Sequence, residues 1–467
     1  MSFVSTGHSF TSRPARVSRR HFCATLGGAA VALPFIVPSG LRASTAANSR
    51  LRIGQIGFGR IARDHDCPGV LSSGLGEIVA VCDVDQKRLQ RGVAFLAQRQ
   101  SEGGRTPPTI TAYGDFREML ARENLDAVVI STPDHWHAEP ALLAARAGKA
   151  IYLQKPFTMT HAEGVRLRDE VVRSGVCLQV GSQQRSWEQF RRAAELVRSG
   201  RLGKIHRVEI GLPTDPTKPD EPAQSVPATL DYDRWLGCTP QAFYTEQRVH
   251  PQDDYSRPGW LRSDAHCLGM ITGWGSHHYD TMHWALDLEH TGPSRVEGRG
   301  EFPDPARIWN VHGAYEVNLT YPGDIAVNVS NRFDNGIKFF GEAGWIFVTR
   351  DAPASASDPT SPMSGSPLRA NDERLLDPAG LSVRLPVSKN HHQNWLESAI
   401  AGKAPLAPAA PGHRTNTACI VSWIAMKLGR PLTWDPVTEH FLNDPEANAL
   451  LTRPERAPYG ALRVPTL

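Results

Sequence analysis

The sequence predicts an α/β protein: a doubly wound parallel sheet followed by an α+β domain with an open, mostly antiparallel sheet. Three observations predict this. A buried apolar strand runs directly into a glycine turn at Gly57 and Gly59. Short β-branched runs then alternate with helical stretches as far as Val180, which is the spacing of strands joined by crossover helices. Beyond Val180 that alternation stops, and closely spaced strands separated by turn residues follow.

The bulk properties agree. The chain has 467 residues, enough for two cores. Its charges nearly cancel, 51 Lys and Arg against 48 Asp and Glu. No basic run is interleaved with aromatic residues, so nucleic acid is not an expected partner. The 7 cysteines form no CxxC pair and no zinc spacing, and no metal is expected. Their spacing selects no disulfide. After residue 48 no apolar run is long enough to span a bilayer.

Residues 1–48 read as a targeting segment and linker. Arg19-Arg20 precede an Ala/Gly-rich apolar run from about Phe22 to Val37, and small residues follow from Ala43 to Ala47. That order is an export signal, and the paired arginines with modest hydrophobicity are the twin-arginine form, which passes folded proteins. The expected location is periplasmic or secreted, with the twin-arginine machinery as a partner. An uncleaved leader would instead act as a membrane anchor.

The nucleotide half spans 49–182. Leu51–Ile56 is the first strand, and Gly57-Phe58-Gly59-Arg60-Ile61-Ala62 is a GxGxxA fingerprint. Gly57 permits the tight turn, Gly59 lets a pyrophosphate approach the backbone, and Ala62 lets the helix pack closely on the strand. The first N–H groups of that helix face the phosphates. Glu77–Cys82 is a second strand ending at Asp83, about 20 residues beyond the fingerprint, where a carboxylate accepts from the adenosine ribose. A ribose phosphate would meet like charge there, which favours NAD over NADP. Helices are expected at 115–122, 138–147 and 160–174, and strands at 127–131, 150–153 and 176–180. In such Rossmann sheets ligands lie beyond the carboxyl ends of the strands, so loops 132–137 and 154–158 face the cofactor.

A second domain is expected over 183–430. A helix at 187–199 and a strand near 205–212 open it. Residues 213–265 are rich in Pro, Asp, Trp and Arg with little periodicity, a length that implies a site lining. Helical sequence ends near Leu286. Strands are expected at 314–321, 325–331, 336–340 and 344–348, a surface loop at 353–367, helices at 391–401 and 415–428, and an extended tail over 431–467.

Taken in order, GFGRIA at 57–62, CDVD at 82–85, STPDHWHAEPAL at 131–142, YLQKPFTMT at 152–160, DYDRWLG at 231–237 and GWGSHHYDTMHWAL at 273–286 resemble the glucose-fructose oxidoreductase / inositol dehydrogenase / rhizopine-catabolism family. WDPVTEHFLNDPEANALLTRP at 434–454 resembles a secreted branch of it. The resemblance covers essentially everything after the leader. It implies hydride transfer between NAD and a hydroxyl-bearing carbon of a sugar or cyclitol, and a homo-oligomer. It also admits glycoside hydrolysis or elimination through a transient keto-sugar, and a non-catalytic member.

The resemblance assigns residues. Lys155 and Pro156 match the family's Glu-Lys-Pro motif, with Gln154 in place of the glutamate. The lysine would reach the substrate hydroxyl, and an ammonium beside NAD⁺ has a lowered pKa. His277 matches the family's catalytic histidine, although the aspartate expected four residues earlier is Gly273. Asp280 matches a further recurrent carboxylate. Thr132, Pro133 and His137 would lie against the nicotinamide ribose, with Phe58, Arg60 and Ile61 in the phosphate turn. Arg185, Tyr255, Arg257, Trp260, Arg262 and His278 would flank the sugar. In this reading the hydroxyl proton passes to His277 or Lys155. Export adds a demand, because free NAD is not expected outside the cytoplasm. The cofactor would leave already bound and be recycled in place.

Overall fold

The structure, a computed structural model, describes residues 50–102, 104, 106–350 and 366–466. The leader at Arg19-Arg20 and the 353–365 part of the expected surface loop lie outside the described residues.

The nucleotide half folds as the alternation predicts. Its six strands are β1 (Leu51–Ile56), β2 (Gly76–Cys82), β3 (Thr111–Tyr113), β4 (Ala127–Ile130), β5 (Ala150–Leu153) and β6 (Leu178–Val180). All pair in parallel, in the order β3-β2-β1-β4-β5-β6. The central strands β4 and β5 are buried along their whole length, as uninterrupted apolar runs between two helical layers must be. The order reverses between β1 and β4, and ligands of such sheets lie beyond that switch point. The helices are α1 (Cys67–Ser72), α2 (Gln86–Ser101), α3 (Phe116–Arg122), α4 (Ala138–Arg146) and α5 (His161–Ser174). Local chemistry sets their starts. Asp85 accepts from Lys87 N–H at α2, Asp115 from Arg117 N–H at α3, and Thr160 with Glu163 forms a capping box at α5. Helix α2 and strand β3 were not singled out in the sequence, where their patterns are short or strongly charged.

The second half is built on a nine-stranded sheet, β13-β12-β11-β7-β10-β9-β8-β14-β15. Its strands are β7 (Ile205–Gly211), β8 (Arg295–Gly300), β9 (Tyr315–Tyr321), β10 (Ile325–Ser330), β11 (Gly336–Gly341), β12 (Gly344–Val348), β13 (Leu368–Ala370), β14 (Leu432–Asp435) and β15 (His440–Phe441). Every pairing is antiparallel except β7 with β10. In β9 the inward residues Tyr315, Val317, Leu319 and Tyr321 alternate with exposed Glu316 and Asn318, so one face is a core and the other faces outward. Helices α6 (Glu188–Arg198), α9 (Gly275–Leu286) and α11 (Ala409–Leu428) cover the inner face. The three short helices are α7 (Tyr232–Leu236), α8 (Met270–Gly273) and α12 (Pro445–Ala449).

The chain returns to the first half twice. Helix α10 (His391–Ala401) packs on α1 and β5, burying Trp395 and Leu396 in the nucleotide-domain core. The tail expected to be extended is instead β14, β15 and α12, with β14 joining the sheet beside β8. Linear boundaries at 183 and 431 therefore do not divide the packing.

The tail is held by Glu439, whose carboxylate receives Arg168 Nη1 at 2.9 Å, Arg414 Nη1 at 2.6 Å and His413 Nε2 at 3.2 Å. Burial alone would raise this carboxyl. The His161 and His413 side chains and the Arg414 guanidinium outweigh it and hold it far below the usual carboxylate range. Its contribution is therefore present above about pH 4 and is lost only as pH falls through the depressed value. Glu439→Gln leaves two half-buried guanidiniums without a counter-charge and should cost about 2–3 kcal/mol, read as a lower urea midpoint at pH 7.

Candidate active site

A cavity of about 520 Å³ runs from the glycine turn to the helix carrying His277. At its nucleotide end Gly57 has φ +80°, and an added Cβ would stand 3.0 Å from the Ser131 carbonyl. That left-handed turn favours glycine. An added Cβ on Gly59 would meet nothing within 4 Å and would project into the cavity. Space is thus kept for a group lying on the backbone. The helix opens at Arg60, whose side chain lines the cavity with Ile61. Asp83 accepts Phe58 N–H at 2.7 Å and Asp85 N–H at 2.9 Å, and it also lines the cavity. Burial raises its pKa. Each oxygen keeps a further lone pair for a ribose hydroxyl. These residues fit NAD.

Phe58 is a correction. Its side chain is fully buried under α2, against Gly92 and Phe95, and its N–H is used by Asp83. It builds the turn from beneath; burying such a ring contributes about 2–3 kcal/mol.

Loops 132–137 and 154–158 meet as expected. His137 joins them, with Nδ1 2.6 Å from the Pro156 carbonyl and Nε2 3.1 Å from the Thr132 carbonyl. Burial lowers His137 to about 4, so the ring is neutral and its one N–H donates to one of the two carbonyls. Thr132, Pro133 and His137 line the cavity, whereas Pro156 is buried behind it and contributes its carbonyl. The Lys155–Pro156 peptide is cis.

Lys155 Nζ enters the cavity and donates to the Gly273 carbonyl at 3.1 Å. Burial lowers its pKa to about 8; Asp134 opposes this, and Arg350 and Arg257 add to it. Gln154, in the place of the family glutamate, donates Nε2 to Asp66 Oδ1 at 2.8 Å. Asp66 ends a five-residue π-turn, Ala62–Asp66, that follows the glycine turn. It is completely buried and also accepts from His392 Nε2 at 3.0 Å and Ser131 Oγ at 2.7 Å. A glutamate at 154 would set two buried carboxylates against each other; an amide can donate instead.

His277 sits in the first turn of α9 and lines the cavity, with no hydrogen-bond partner for Nδ1. Burial holds its pKa well below the ordinary value, with Arg350 and Lys155 adding to that. It is neutral at working pH. Gly273 has open space where a Cβ would stand, and its carbonyl rather than a side chain meets Lys155.

Several expected site residues lie elsewhere. Asp280 and Arg185 form a buried bidentate pair at 2.7 and 2.8 Å, extended by Glu289 at 2.7 Å. Neither lines the cavity: Asp280 is engaged by the buried Arg185 instead. The pair positions α9. His278 is buried with Nε2 2.9 Å from Asn335 Oδ1 and beside Trp274, outside the cavity. Arg262 donates to the Pro258 carbonyl and faces Asp215, also outside it. Tyr255, Arg257 and Trp260 do line the cavity. Tyr255 lies between the Arg63 and Arg88 guanidiniums, each 4.0 Å from its ring, at the nucleotide end. Trp260 packs beside Trp235 and Tyr244.

Sequence reasoning passed over Asp134, Trp187, Trp274 and Arg350, all of which line the cavity. Asp134 is in the TPDHWH loop, and burial raises it to about 7. Among the described residues the one cluster within metal-ligating reach is His161, His413 and Glu439 at the tail, remote from these groups and already paired with arginines.

Residues 51–182 match the oxidoreductase family with an NAD-binding Rossmann fold, and residues 216–337 and 382–461 match that family's C-terminal α/β domain. The chain belongs to this family. The domain matches cover the turn, the Lys155 loop and the His277 helix. Among curated relatives, a glycosyl hydrolase family 109 protein of Shewanella sp. (strain W3-18-1) is 30% identical over 179 residues, 34% of this chain and 38% of that one. A myo-inositol 2-dehydrogenase of Thermotoga maritima is 28% identical over 203 residues, 44% of this chain and 53% of that one. These matches thus span roughly two fifths to half of the relatives' own length. Among solved structures, aldose-aldose oxidoreductase from Caulobacter crescentus superposes with TM-score 0.58 at 18% identity, covering 82% of this chain and 99% of that one. The WlbA dehydrogenase from Bordetella pertussis, solved with NADH and UDP-GlcNAcA, gives 0.58 at 16% identity over 83% and 99%. At those identities the likeness is one of fold.

The glycine geometry makes a separable prediction. Gly59→Ala meets no atom in the apo protein and should leave its melting temperature unchanged. It should weaken NAD binding at least about tenfold, because the methyl takes the pyrophosphate's space. Calorimetric titration with NAD reads the second effect.

Proposed function

We propose that this chain oxidises or reduces a hydroxyl-bearing carbon of a sugar or cyclitol, with NAD as the hydride partner. One observation carries the reading: a single cavity joins the Gly57–Gly59 turn to the Lys155 amine and the His277 imidazole. When bound, NAD supplies the hydride-accepting ring. Everything else falls to the chain. Asp83 and the opening turn of the helix hold the nucleotide. Lys155, held near 8 by burial, is matched to working pH and takes the hydroxyl proton. The Gly273 carbonyl fixes one N–H of that amine and so aims its lone pair. His277 Nδ1, neutral and unpartnered, holds the hydroxyl in register. The Arg185–Asp280 pair keeps α9, and with it His277, in place.

A second reading has one specific support. Cleaving a glycoside through a transient keto-sugar needs a proton for the leaving oxygen. Asp134, raised to about 7 in the same cavity, can supply it. Release of aglycone without net NADH selects this reading.

The leader supports export of the folded protein with its cofactor aboard, to the periplasm or beyond. Arg19-Arg20, the apolar run and the small-residue stretch are the basis for it. A homo-oligomer formed through the outward face of the nine-stranded sheet is the assembly this reading favours.

The test follows from Lys155. A base must be deprotonated to act, so kcat/KM for alcohol oxidation should rise with pH and level off above about 8. Lys155→Ala should keep NAD bound and lose about 100-fold or more in hydride transfer. Transfer unchanged in that variant, followed by nicotinamide absorbance, sinks the assignment.

A further inference from the structure

The long excursion of the second half over 213–265 fastens onto the nucleotide half just past the end of β2. Backbone joins first. Gln86 N–H donates to the Thr229 carbonyl at 2.8 Å, and Asp231 N–H donates to the Val84 carbonyl at 3.0 Å. Side chains then tie residues 250–255 to the start of α2. Asp85 serves both sides: its Oδ1 caps α2 at the Lys87 N–H, 2.9 Å away, and its Oδ2 accepts His250 Nε2 at 2.9 Å and Gln252 Nε2 at 3.2 Å. Lys87 Nζ reaches Asp253 Oδ1 at 2.6 Å. Arg88 is buried, and its Nη2 donates to the Pro251 carbonyl and, at 2.6 Å, to the Asp254 carbonyl. The same guanidinium lies 4.0 Å from the Tyr255 ring, and Arg63 of the π-turn meets that ring at 4.0 Å as well.

These ties cluster directly behind Asp83, the carboxylate placed for the ribose. His250, Tyr255, Ser256 and Pro258 line the same cavity as Gly57, Gly59 and Asp83. The glycine turn is thus one wall of the nucleotide end, and the 250–258 segment is another. The ties differ in strength. Lys87–Asp253 is an exposed ion pair, a kind that contributes little. A buried guanidinium bonded to two carbonyls holds more firmly, so Arg88 dominates.

Resting on the NAD reading of the glycine turn, we infer that residues 250–258 are a strap that completes the cofactor site and must lift for NAD to enter or leave. Asp85, Lys87 and Arg88 are its latch. NAD is then a slowly exchanging, resident group. Every tie in the latch runs from protein to protein, so weakening it speeds entry and release together. A residue that merely touched the nucleotide would speed release alone.

The experiment uses the full-length protein with NADH as the probe. Stopped-flow nicotinamide fluorescence follows entry, and a large excess of NAD⁺ makes release irreversible. Arg88→Met keeps the aliphatic stem and loses both carbonyl bonds. It should raise both rate constants at least about tenfold and change Kd by less than either. Asp253→Ala should raise them by no more than about fivefold. A second construction works in the opposite direction and does not depend on the Arg88 variant folding. Lys87→Cys with Asp253→Cys, joined by a short bis-maleimide, should slow both entry and release. Release sped without faster entry in Arg88→Met overturns the inference, and so do rates unmoved by the cross-link. If NADH binds to the unsubstituted protein in no measurable amount, the NAD reading itself fails and takes the strap with it.

Discussion

The buried carboxylate of Asp66 is the constraint on which the site depends. It is fully enclosed, and it is reached by three donors from three parts of the chain. Gln154 comes from the Lys155 loop, Ser131 from the end of β4, and His392 from α10. A buried carboxylate must be paid with hydrogen bonds. Those bonds draw the loop after β5, the loop after β4 and a helix 326 residues further along the chain into one arrangement. The π-turn Ala62–Asp66 aims the carboxylate there. A regular α-helix would rotate Asp66 off that bearing, since the extra residue in a π-turn changes which face each side chain occupies. The NAD turn and the lysine loop are therefore registered to each other through one side chain.

Much of this fold was legible in the sequence because its signals are local. A strand entering Gly57, β-branched runs at 127–130 and 150–153, and capping residues at Asp115 and Thr160 each reveal an element within a few positions. The glycine turn and Lys155 were legible for the same reason. Asp66 was not, because its meaning comes from partners 65, 88 and 326 residues away. Arg350 follows a strand end that carries no motif, and the sheet alone brings it to His277. Asp280 misled for a complementary reason. Its match to a recurrent family carboxylate pointed to chemistry, yet Arg185, itself held by Glu289, already engages it. Sequence shows that a carboxylate is present; a buried partner decides what it is for.

The tail teaches the same lesson about domains. The extended tail expected over 431–467 is a linear boundary, but Glu439 takes its partners from α5 and α11. Helix α10 in turn completes the core beneath β5. The nucleotide half is thus closed by residues from the far end of the chain. Its stability is shared with the second half, and the Asp66 network is complete only with α10 docked, because His392 is part of it.

That coupling bears on the electrostatics of the cavity. Lys155 near 8, Asp134 near 7 and a neutral His277 are all displaced chiefly by burial rather than by a close partner. Burial depends on the enclosing elements, α10 among them. Loosening α10 would admit water, restore Lys155 toward an ordinary ammonium and let Asp134 ionise. The amine would then keep its proton well above pH 8 and cease to be a base there. Holding Asp66 buried is in this sense what keeps Lys155 reactive. The carboxylate missing from position 154 acts from position 66, through packing rather than through charge on the substrate.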